Sequence, residues 1–153
     1  MLMKYKQLRD HQLEESQLSF VDLGSGHGGI VDEVAVLMSF GTCFGVELEP
    51  KRSSYAKPLA DHFFEVIRQQ QLRHSKVEIV LGDFLKCSTT KKELKKAGLV
   101  WINNIKFADF NYNILTLLND TVPIGCVVVS FESLLSILRP THASSKFFST
   151  FLL

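Results

Sequence analysis

The sequence lacks any hydrophobic run long enough to cross a membrane, since its longest apolar stretch, residues 124–129, is far shorter than the about 20 residues of a spanning helix. The first residues also lack the apolar segment of a secretory signal. Neither charge is in excess, because 17 Lys and Arg residues oppose 16 Asp and Glu residues. No field of the whole protein would therefore draw it to nucleic acid or to an anionic membrane. We expect a soluble, intracellular protein that does not bind membranes.

Cysteine is scarce, and its spacing argues against two kinds of site. The three residues Cys43, Cys87 and Cys126 are odd in number, form no C-x-x-C pair and do not stand near a histidine at metal-ligand spacing. This pattern is typical of a reducing compartment, and it gives no reason to expect a bound metal. Cys43 and Cys126 lie in apolar runs, where a cysteine usually acts as a small buried hydrophobe.

Length and hydrophobic content indicate one folded domain. The chain has 153 residues, of which 46% are hydrophobic. It can form one hydrophobic core and is too short for two ordinary domains. No internal repeat, low-complexity tract or linker interrupts it. We therefore expect a single domain over residues 1–153.

Short apolar strands alternate with amphipathic helices along the chain. Apolar runs predict strands over residues 18–23, 42–48, 76–81, 99–102 and 124–130, and residues 147–153 are a candidate last strand. Helical periodicity predicts helices over residues 7–17, from 29 up to Gly41, and over 50–73, 89–97 and 111–119. In the third of these helices, one side carries Tyr55, Leu59, His62, Phe63, Val66 and Ile67. The alternation is typical of an α/β fold with a mostly parallel central sheet and helices on both faces.

A glycine cluster stands where the first predicted strand turns into a helix, in residues 21–29, VDLGSGHGG. Glycines there let the backbone turn tightly and approach a ligand closely. Nicotinamide and flavin enzymes use a similar turn, so the glycines alone identify no ligand. Asp22 favours S-adenosylmethionine, because a carboxylate at this place attracts the ammonium group of its amino-acid half and would repel a diphosphate. We predict cofactor contacts from Asp22, Gly24 and Gly26.

Glu47 closes the second predicted strand, about twenty residues past the glycines, where related folds carry the acid that binds ribose. Its carboxylate can accept hydrogen bonds from both ribose hydroxyls. Glu49 stands close by, and we prefer Glu47 because it is the last residue in phase with the strand. The alternative is that Glu47 is only an acid at the N-terminus of the helix that starts at Pro50.

The third predicted strand ends in Gly82-Asp83-Phe84. In this fold that position borders the adenine, so Asp83 can accept a hydrogen bond from the adenine amino group and Phe84 can lie against the base. The carboxyl ends of parallel strands meet at the same edge of the sheet, where open α/β proteins bind ligands. The glycine turn, Glu47 and Asp83 are therefore expected around one nucleoside.

The fourth predicted strand runs into residues 101–107, WINNIKF, at a position that faces the transferred methyl group in this architecture. Carbonyl oxygens of the Asn103-Asn104 pair could orient an amine nucleophile, and Phe107 could wall the site. The alternative is a turn-forming Asn pair between strand and helix. For the proton of the amine, Asp109 is a candidate acceptor, although we prefer a helix-capping role for it.

Together these motifs resemble the catalytic core of histone lysine methyltransferases of the disruptor-of-telomeric-silencing type, which are non-SET enzymes. The likeness covers residues 18–130 and is carried by VDLGSGxG, GVE, GDFL and, most specifically, NNxxF. It implies a Rossmann-like class I methyltransferase fold, S-adenosylmethionine as cofactor, and methylation of a lysine of a nucleosomal core histone in the nucleus. By position it implies cofactor contacts from Asp22, Gly24, Glu47, Asp83 and Phe84, with Asn103 beside the methyl group and Phe107 beside the cofactor or the lysine channel.

The family also has an aromatic and acidic loop upstream that closes over the cofactor, and aromatic residues downstream that line the lysine channel. The sequence shows neither motif, so we expect a domain that is truncated relative to the family at both ends. Two rival interpretations stay open: a non-catalytic scaffold, and a methyltransferase for a small molecule or a non-histone protein. A nicotinamide oxidoreductase is disfavoured by Asp22 and by the lack of a Tyr-Lys pair at helical spacing.

A basic run is formed by Lys86, Lys91, Lys92, Lys95 and Lys96, of which the last four are the candidates for contact with DNA. It could make weak contacts with nucleosomal DNA phosphates. A solvated helix face explains it as well and is preferred, because Glu93 interrupts the run and no aromatic residues interleave with it.

Overall fold

The computed structural model describes residues 14–134 and 150–151, and within them the chain forms six strands and four α-helices. The strands are β1 (Ser19–Leu23), β2 (Thr42–Glu47), β3 (Lys76–Leu81), β4 (Ala97–Ile102), β5 (Val127–Ser130) and β6 (Thr150–Phe151). The helices are α1 (Gly29–Leu37), α2 (Pro50–Gln69), α3 (Ser88–Leu94) and α4 (Asn111–Thr121).

The strands pair in parallel in the order β3-β2-β1-β4-β5-β6. From β1 in the middle of the sheet, the described chain moves outward to β3 and then crosses to β4 on the other side of β1. The direction of winding therefore reverses between β1 and β4. In open sheets of this kind, ligands bind outside the carboxyl ends of the strands at this reversal.

Two apolar cores cover the two faces of the sheet. One packs α3 and α4 against alternate strand residues such as Val21, Val46 and Ile102. The other packs α1 and α2 against the intervening residues, including Phe20 and Cys43. This alternation of strand residues between two helix layers confirms the predicted α/β architecture with helices on both faces.

Two of the cysteines serve as small apolar core residues, as predicted. Cys43 and Cys126 are buried, and burial raises the pKa of each thiol to about 12. Cys87 is half-buried and free. Among residues 14–134 and 150–151, no three His, Cys, Asp or Glu side chains are grouped closely enough to hold a metal, and no helix is long and apolar enough to cross a membrane.

The face of α2 that packs on the sheet differs from the predicted one. Its buried residues are Ala56, Ala60, Phe64 and Ile67, whereas Tyr55, Leu59 and Val66 are exposed. The alanines allow a close approach, since an added Cβ at Gly28 would lie 3.8 Å from the Cβ of Ala56. The prediction was right for Ile67 and for the partly buried Phe63, and wrong for the exposed residues, because it gave weight to large apolar residues and none to the alanines.

Several element ends also differ from the prediction. Glu14 has extended backbone and only Glu15–Gln17 form one 3-10 turn, so no α-helix runs through these residues. Helix α2 stops at Gln69, where the following turn places Gln71 at a φ of 57°. Strand β5 starts at Val127 because Gly125 turns the backbone with a φ of 87°.

Helix α3 ends at Leu94, and residue 97, predicted to be helical, begins β4 instead. Of the candidate last strand, Thr150–Phe151 pairs with β5, and its other residues lie outside the described part, as do residues 7–13 of the first predicted helix.

Candidate active site

A cleft of about 720 Å³ opens at the carboxyl edge of the sheet, around the reversal between β1 and β4. Six of the residues predicted from the sequence line it: Gly24, Glu47, Asp83, Phe84, Asn103 and Phe107. The sequence motifs did not single out seven further lining residues, which are Leu48, Pro50, Arg52, Leu85, Ile105, Lys106 and Phe110. The only sequence signal for them was a position shortly after a strand end, and Phe110, eight residues past the end of β4, lacked even that.

The glycine turn after β1 is held against β2. The backbone N–H groups of Gly24 and Ser25 both donate to the carbonyl oxygen of Val46, at 2.9 and 3.0 Å. Gly24, Gly26 and Gly28 adopt positive φ values of 87°, 58° and 87°, a region that glycine enters without steric cost. Around Gly26 no atom lies within 4 Å of where a Cβ would stand, so this part of the turn faces open space.

Glu47 anchors this turn to the end of β2. Its carboxylate is buried and accepts two backbone hydrogen bonds, from Gly26 N to Oε2 at 2.7 Å and from Glu49 N to Oε1 at 2.8 Å. Each carboxylate oxygen can accept a further hydrogen bond. Glu49 has the capping role instead, because its side chain accepts from the N–H groups of Lys51 and Arg52 in the first turn of α2.

Asp22 is in β1, two residues before Gly24. Its side chain is buried and does not line the cleft. Burial, and secondarily the charge of Glu47, raises the pKa of its carboxyl to about 8. A cationic group placed beside it would favour the ionised form. Asp22 therefore suits a ligand whose positive end lies beside it and keeps it ionised, which a diphosphate would not do.

The loop after β3 forms another wall of the cleft. Asp83 Oδ1 accepts from the N–H of Leu85 at 3.0 Å, and Oδ2 lies 3.2 Å from Lys86 Nζ. The ring of Phe84 lies 5.8 Å from that of Phe107, centroid to centroid, so two aromatic rings border the cleft from different strands. An aromatic face next to a carboxylate matches the needs of an adenine ring and its amino group.

The Asn pair after β4 is divided between the cleft and the core. Asn103 is exposed and lines the cleft. Asn104 is fully buried, and its amide bonds with Asn111 and with the backbone of Glu132. The structure therefore gives Asn104 a structural role in the core and leaves Asn103 accessible in the cleft.

Asp109 is exposed and does not cap α4, since the N-cap is Phe110 and no side chain bonds there. The predicted capping role of Asp109 was wrong. The physical reason is that residues 104–110 form a tight 3-10 segment directly before α4, which leaves no extended residue at the cap position.

The basic run extends away from the cleft. Lys91 and Lys92 are exposed on α3, whereas Lys96 pairs with Glu93 at 3.1 Å. The Lys96 carbonyl accepts from the N–H of Ser19, the first residue of β1, so the run ends at the amino edge of the sheet. Glu93 is itself buried and accepts from the Ser19 hydroxyl at 2.7 Å, which gives it a structural role.

The parallel sheet, the cleft at its carboxyl edge and the likeness to solved methyltransferases define a Rossmann-like class I methyltransferase fold. An RNA methyltransferase from Salinibacter ruber, solved with S-adenosyl-L-homocysteine, superposes with a TM-score of 0.60 at 22% identity, over 84% of this chain and 72% of that one. The chain belongs to the family described as histone methylation protein DOT1, whose model matches residues 4–148.

Curated relatives named histone-lysine N-methyltransferase, H3 lysine-79 specific, match as well. The Chaetomium globosum protein is 30% identical over 77% of this chain and 23% of its own length. The Caenorhabditis elegans protein is 34% identical over 58% of this chain and 9% of its own length. The chain therefore spans less than a quarter of the length of either relative.

Proposed function

We propose that this domain binds S-adenosylmethionine in the cleft and transfers its methyl group to a lysine side-chain amine of a nucleosomal core histone. The observation that carries the proposal is the exposed Asn103 at the end of β4, in the same cleft as Glu47 and Asp83. Membership of the DOT1 family and the names of the curated relatives support a histone lysine as acceptor.

The residues of the cleft, together with the buried Asp22 beside its glycine turn, fit the cofactor group by group. Glu47 retains acceptor capacity for the ribose hydroxyls, and Asp83 with Phe84 suits the adenine. Asp22 suits the ammonium group, because a neighbouring cation compensates for burial of its carboxylate. When bound, S-adenosylmethionine supplies a methyl group on a positively charged sulfur, which a neutral amine can attack.

The remaining residues position the acceptor and exclude water. The side-chain oxygen of Asn103 can accept a hydrogen bond from the incoming amine and aim its lone pair, so that much of the rate comes from orientation. Phe84 and Phe107 cover the cleft with apolar surface. The amine must first lose its proton. Asp109 is exposed and does not line the cleft, so we assign bulk water as the proton acceptor.

The same proposal implies that the protein's partner is the nucleosome and that the protein acts in the nucleus. Exposed Lys91, Lys92 and Lys95 offer weak contacts with DNA phosphates. Lys96 is less suited, because Glu93 already pairs with it. A salt series of nucleosome binding tests this part, since each phosphate contact steepens the salt dependence of affinity.

Calorimetric titration with S-adenosylmethionine tests the cofactor half of the proposal. We expect the wild type to bind and Glu47→Ala to lose most of the affinity. Glu93→Ala is the matched control, because Glu93 is equally buried but lies at the opposite edge of the sheet. Absence of binding by the wild type would favour a non-catalytic scaffold.

Labelled cofactor tests the acceptor half. The protein is incubated in parallel with nucleosomes, free core histones and a cell extract that lacks chromatin. We expect label on a lysine of a core histone, with nucleosomes as the best substrate. Label only on other proteins or on small molecules would assign the fold to another methyltransferase.

A further inference from the structure

One buried amide joins three elements next to the cleft. Asn104 Nδ2 donates to Asn111 Oδ1 at 2.7 Å and to the Glu132 carbonyl at 3.1 Å, and Asn104 Oδ1 accepts from the Glu132 N–H at 2.8 Å. Asn111 is the first residue of α4, and Glu132 follows the end of β5. A single side chain therefore ties the loop after β4 to the loop after β5 and to the start of α4.

These hydrogen bonds hold the backbone on one side of Asn103. On the other side Ile102 is held in the sheet, opposite Ser130. The Asn103 side chain makes no hydrogen bond to another described residue. Beyond Asn104 the chain continues into a 3-10 segment that is interrupted at Phe107, with φ −135° and ψ 34°. The direction of Asn103 into the cleft thus depends on its two neighbours.

The chemistry of Asn104 is matched to this task. Its position requires two N–H donors and one acceptor at once; a carboxylate of the same size lacks the donors, and an aliphatic side chain lacks all three. Both polar atoms of its amide have partners. A fully hydrogen-bonded polar group in the core favours one arrangement of the segments that it joins.

We propose that Asn104 is a positioning residue for methyl transfer, which holds Asn103 at the place where the acceptor amine is oriented. The inference rests on the proposed function, because its kinetic effect requires Asn103 to act on the amine. It assigns to the NNxxF motif a division of labour in which Asn103 faces the substrate and Asn104 faces the core.

Asn104→Ala and Asn111→Ala test the inference with Ser19→Ala as control. The Ser19 hydroxyl makes a buried 2.7 Å hydrogen bond to Glu93 at the far edge of the sheet, so its loss destabilises the protein without touching the cleft. We expect Asn104→Ala to lower kcat about 10- to 100-fold, the effect of a small misplacement of a reacting group. The dissociation constant for S-adenosylmethionine should change little.

Asn111→Ala removes one of the three hydrogen bonds, so we expect a smaller loss of kcat. Because both variants break the same bond, the double variant should lose less than the product of the single losses. Ser19→Ala should keep its kcat at temperatures where it is folded. If Asn104→Ala loses no more kcat than Ser19→Ala at equal folded fraction, Asn104 is a stabilising residue only and the inference is wrong.

Hydrogen exchange gives a readout that needs no activity. We expect faster amide exchange at residues 103–107 and 131–132 in Asn104→Ala and unchanged exchange there in Ser19→Ala. If the wild type methylates no substrate, the proposed function fails, and the exchange pattern still decides whether Asn104 holds the loop. Equal exchange at these residues in both variants would overturn the inference.

Discussion

Glu47 and Gly26 are joined by a 2.7 Å hydrogen bond from the backbone N–H of the glycine to Oε2 of the carboxylate. The second oxygen accepts from Glu49 N. The residue predicted to bind ribose is thus also the residue that fastens the glycine turn to β2. Cofactor affinity and the rigidity of the turn depend on the same carboxylate.

Glu47→Gln should therefore lower stability and cofactor affinity together. A glutamine has one acceptor oxygen, so its NH2 group would face one of the two backbone N–H groups. We expect a loss of about 1–3 kcal/mol in the free energy of unfolding, and at least about a tenfold weaker affinity. Urea unfolding and calorimetry measure the two effects. An unchanged affinity would show that Glu47 has only a structural role.

Asp22→Asn should make the protein more stable at alkaline pH. The folded protein keeps the Asp22 proton up to about pH 8, whereas the unfolded chain releases it near pH 4. The raised pKa therefore contributes stability that is complete below about pH 4 and is lost as the pH rises through about 8. Asparagine does not ionise, so we expect the advantage of the variant in melting temperature to grow above about pH 4 and to be complete above about pH 8.

Asp32→Asn is the control for this prediction. Burial raises the pKa of Asp32 to about 6, so the advantage of this variant should also grow above about pH 4 but reach a smaller full size already near pH 6. Asp32 is buried in the first turn of α1 and does not line the cleft. Asp22→Asn should weaken S-adenosylmethionine binding and Asp32→Asn should not. Equal affinities of the two variants would argue against the ammonium contact.

Gly28→Ala and Gly26→Ala should separate packing from ligand access. A Cβ at Gly28 would lie 2.3 Å from Cδ1 of Ile79, whereas a Cβ at Gly26 would meet nothing within 4 Å. Both alanines carry backbone strain of about 1–2 kcal/mol. We expect Gly28→Ala to lose more stability, and Gly26→Ala to lose cofactor affinity while it stays folded. Equal stabilities in thermal unfolding would contradict the close contact between Gly28 and the Ile79 side chain.

Asn103→Ala should reduce turnover without affecting the fold. The side chain is exposed and bonds to no described residue, so stability should change by less than about 0.5 kcal/mol. We expect kcat to fall about 100-fold, with an unchanged dissociation constant for S-adenosylmethionine. Single-turnover kinetics with nucleosomes provide the measurement. A variant with wild-type kcat would remove Asn103 from the mechanism.

Much of the fold could be predicted because its signals are local. Strands β1 to β4 are short apolar runs that stop at a glycine or a polar residue, and such runs alternate with helices in a parallel sheet. Since parallel strands share a carboxyl edge, the order of the motifs was enough to bring Gly24, Glu47 and Asp83 into one cleft.

The division of the Asn pair could not be predicted, because it depends on partners far along the chain. The buried Asn104 forms hydrogen bonds with Asn111 and with Glu132, which is 28 residues away along the chain. The buried side of α2 depends likewise on how closely Ala56 and Ala60 let the helix approach the sheet. The burial of Asp22 could not be predicted either, since periodicity does not distinguish a residue that lines the cleft from a buried one next to it.

The most direct test of the central claim is an NMR titration of the isotope-labelled protein with S-adenosyl-L-homocysteine. We expect the largest amide shift changes at the four strand ends, namely at residues 24–28, 47–49, 83–85 and 103–107. Residues 95–97 at the opposite edge of the sheet should not respond. Shift changes confined to that opposite edge, or none at saturating ligand, would contradict a single cofactor cleft formed by these strand ends.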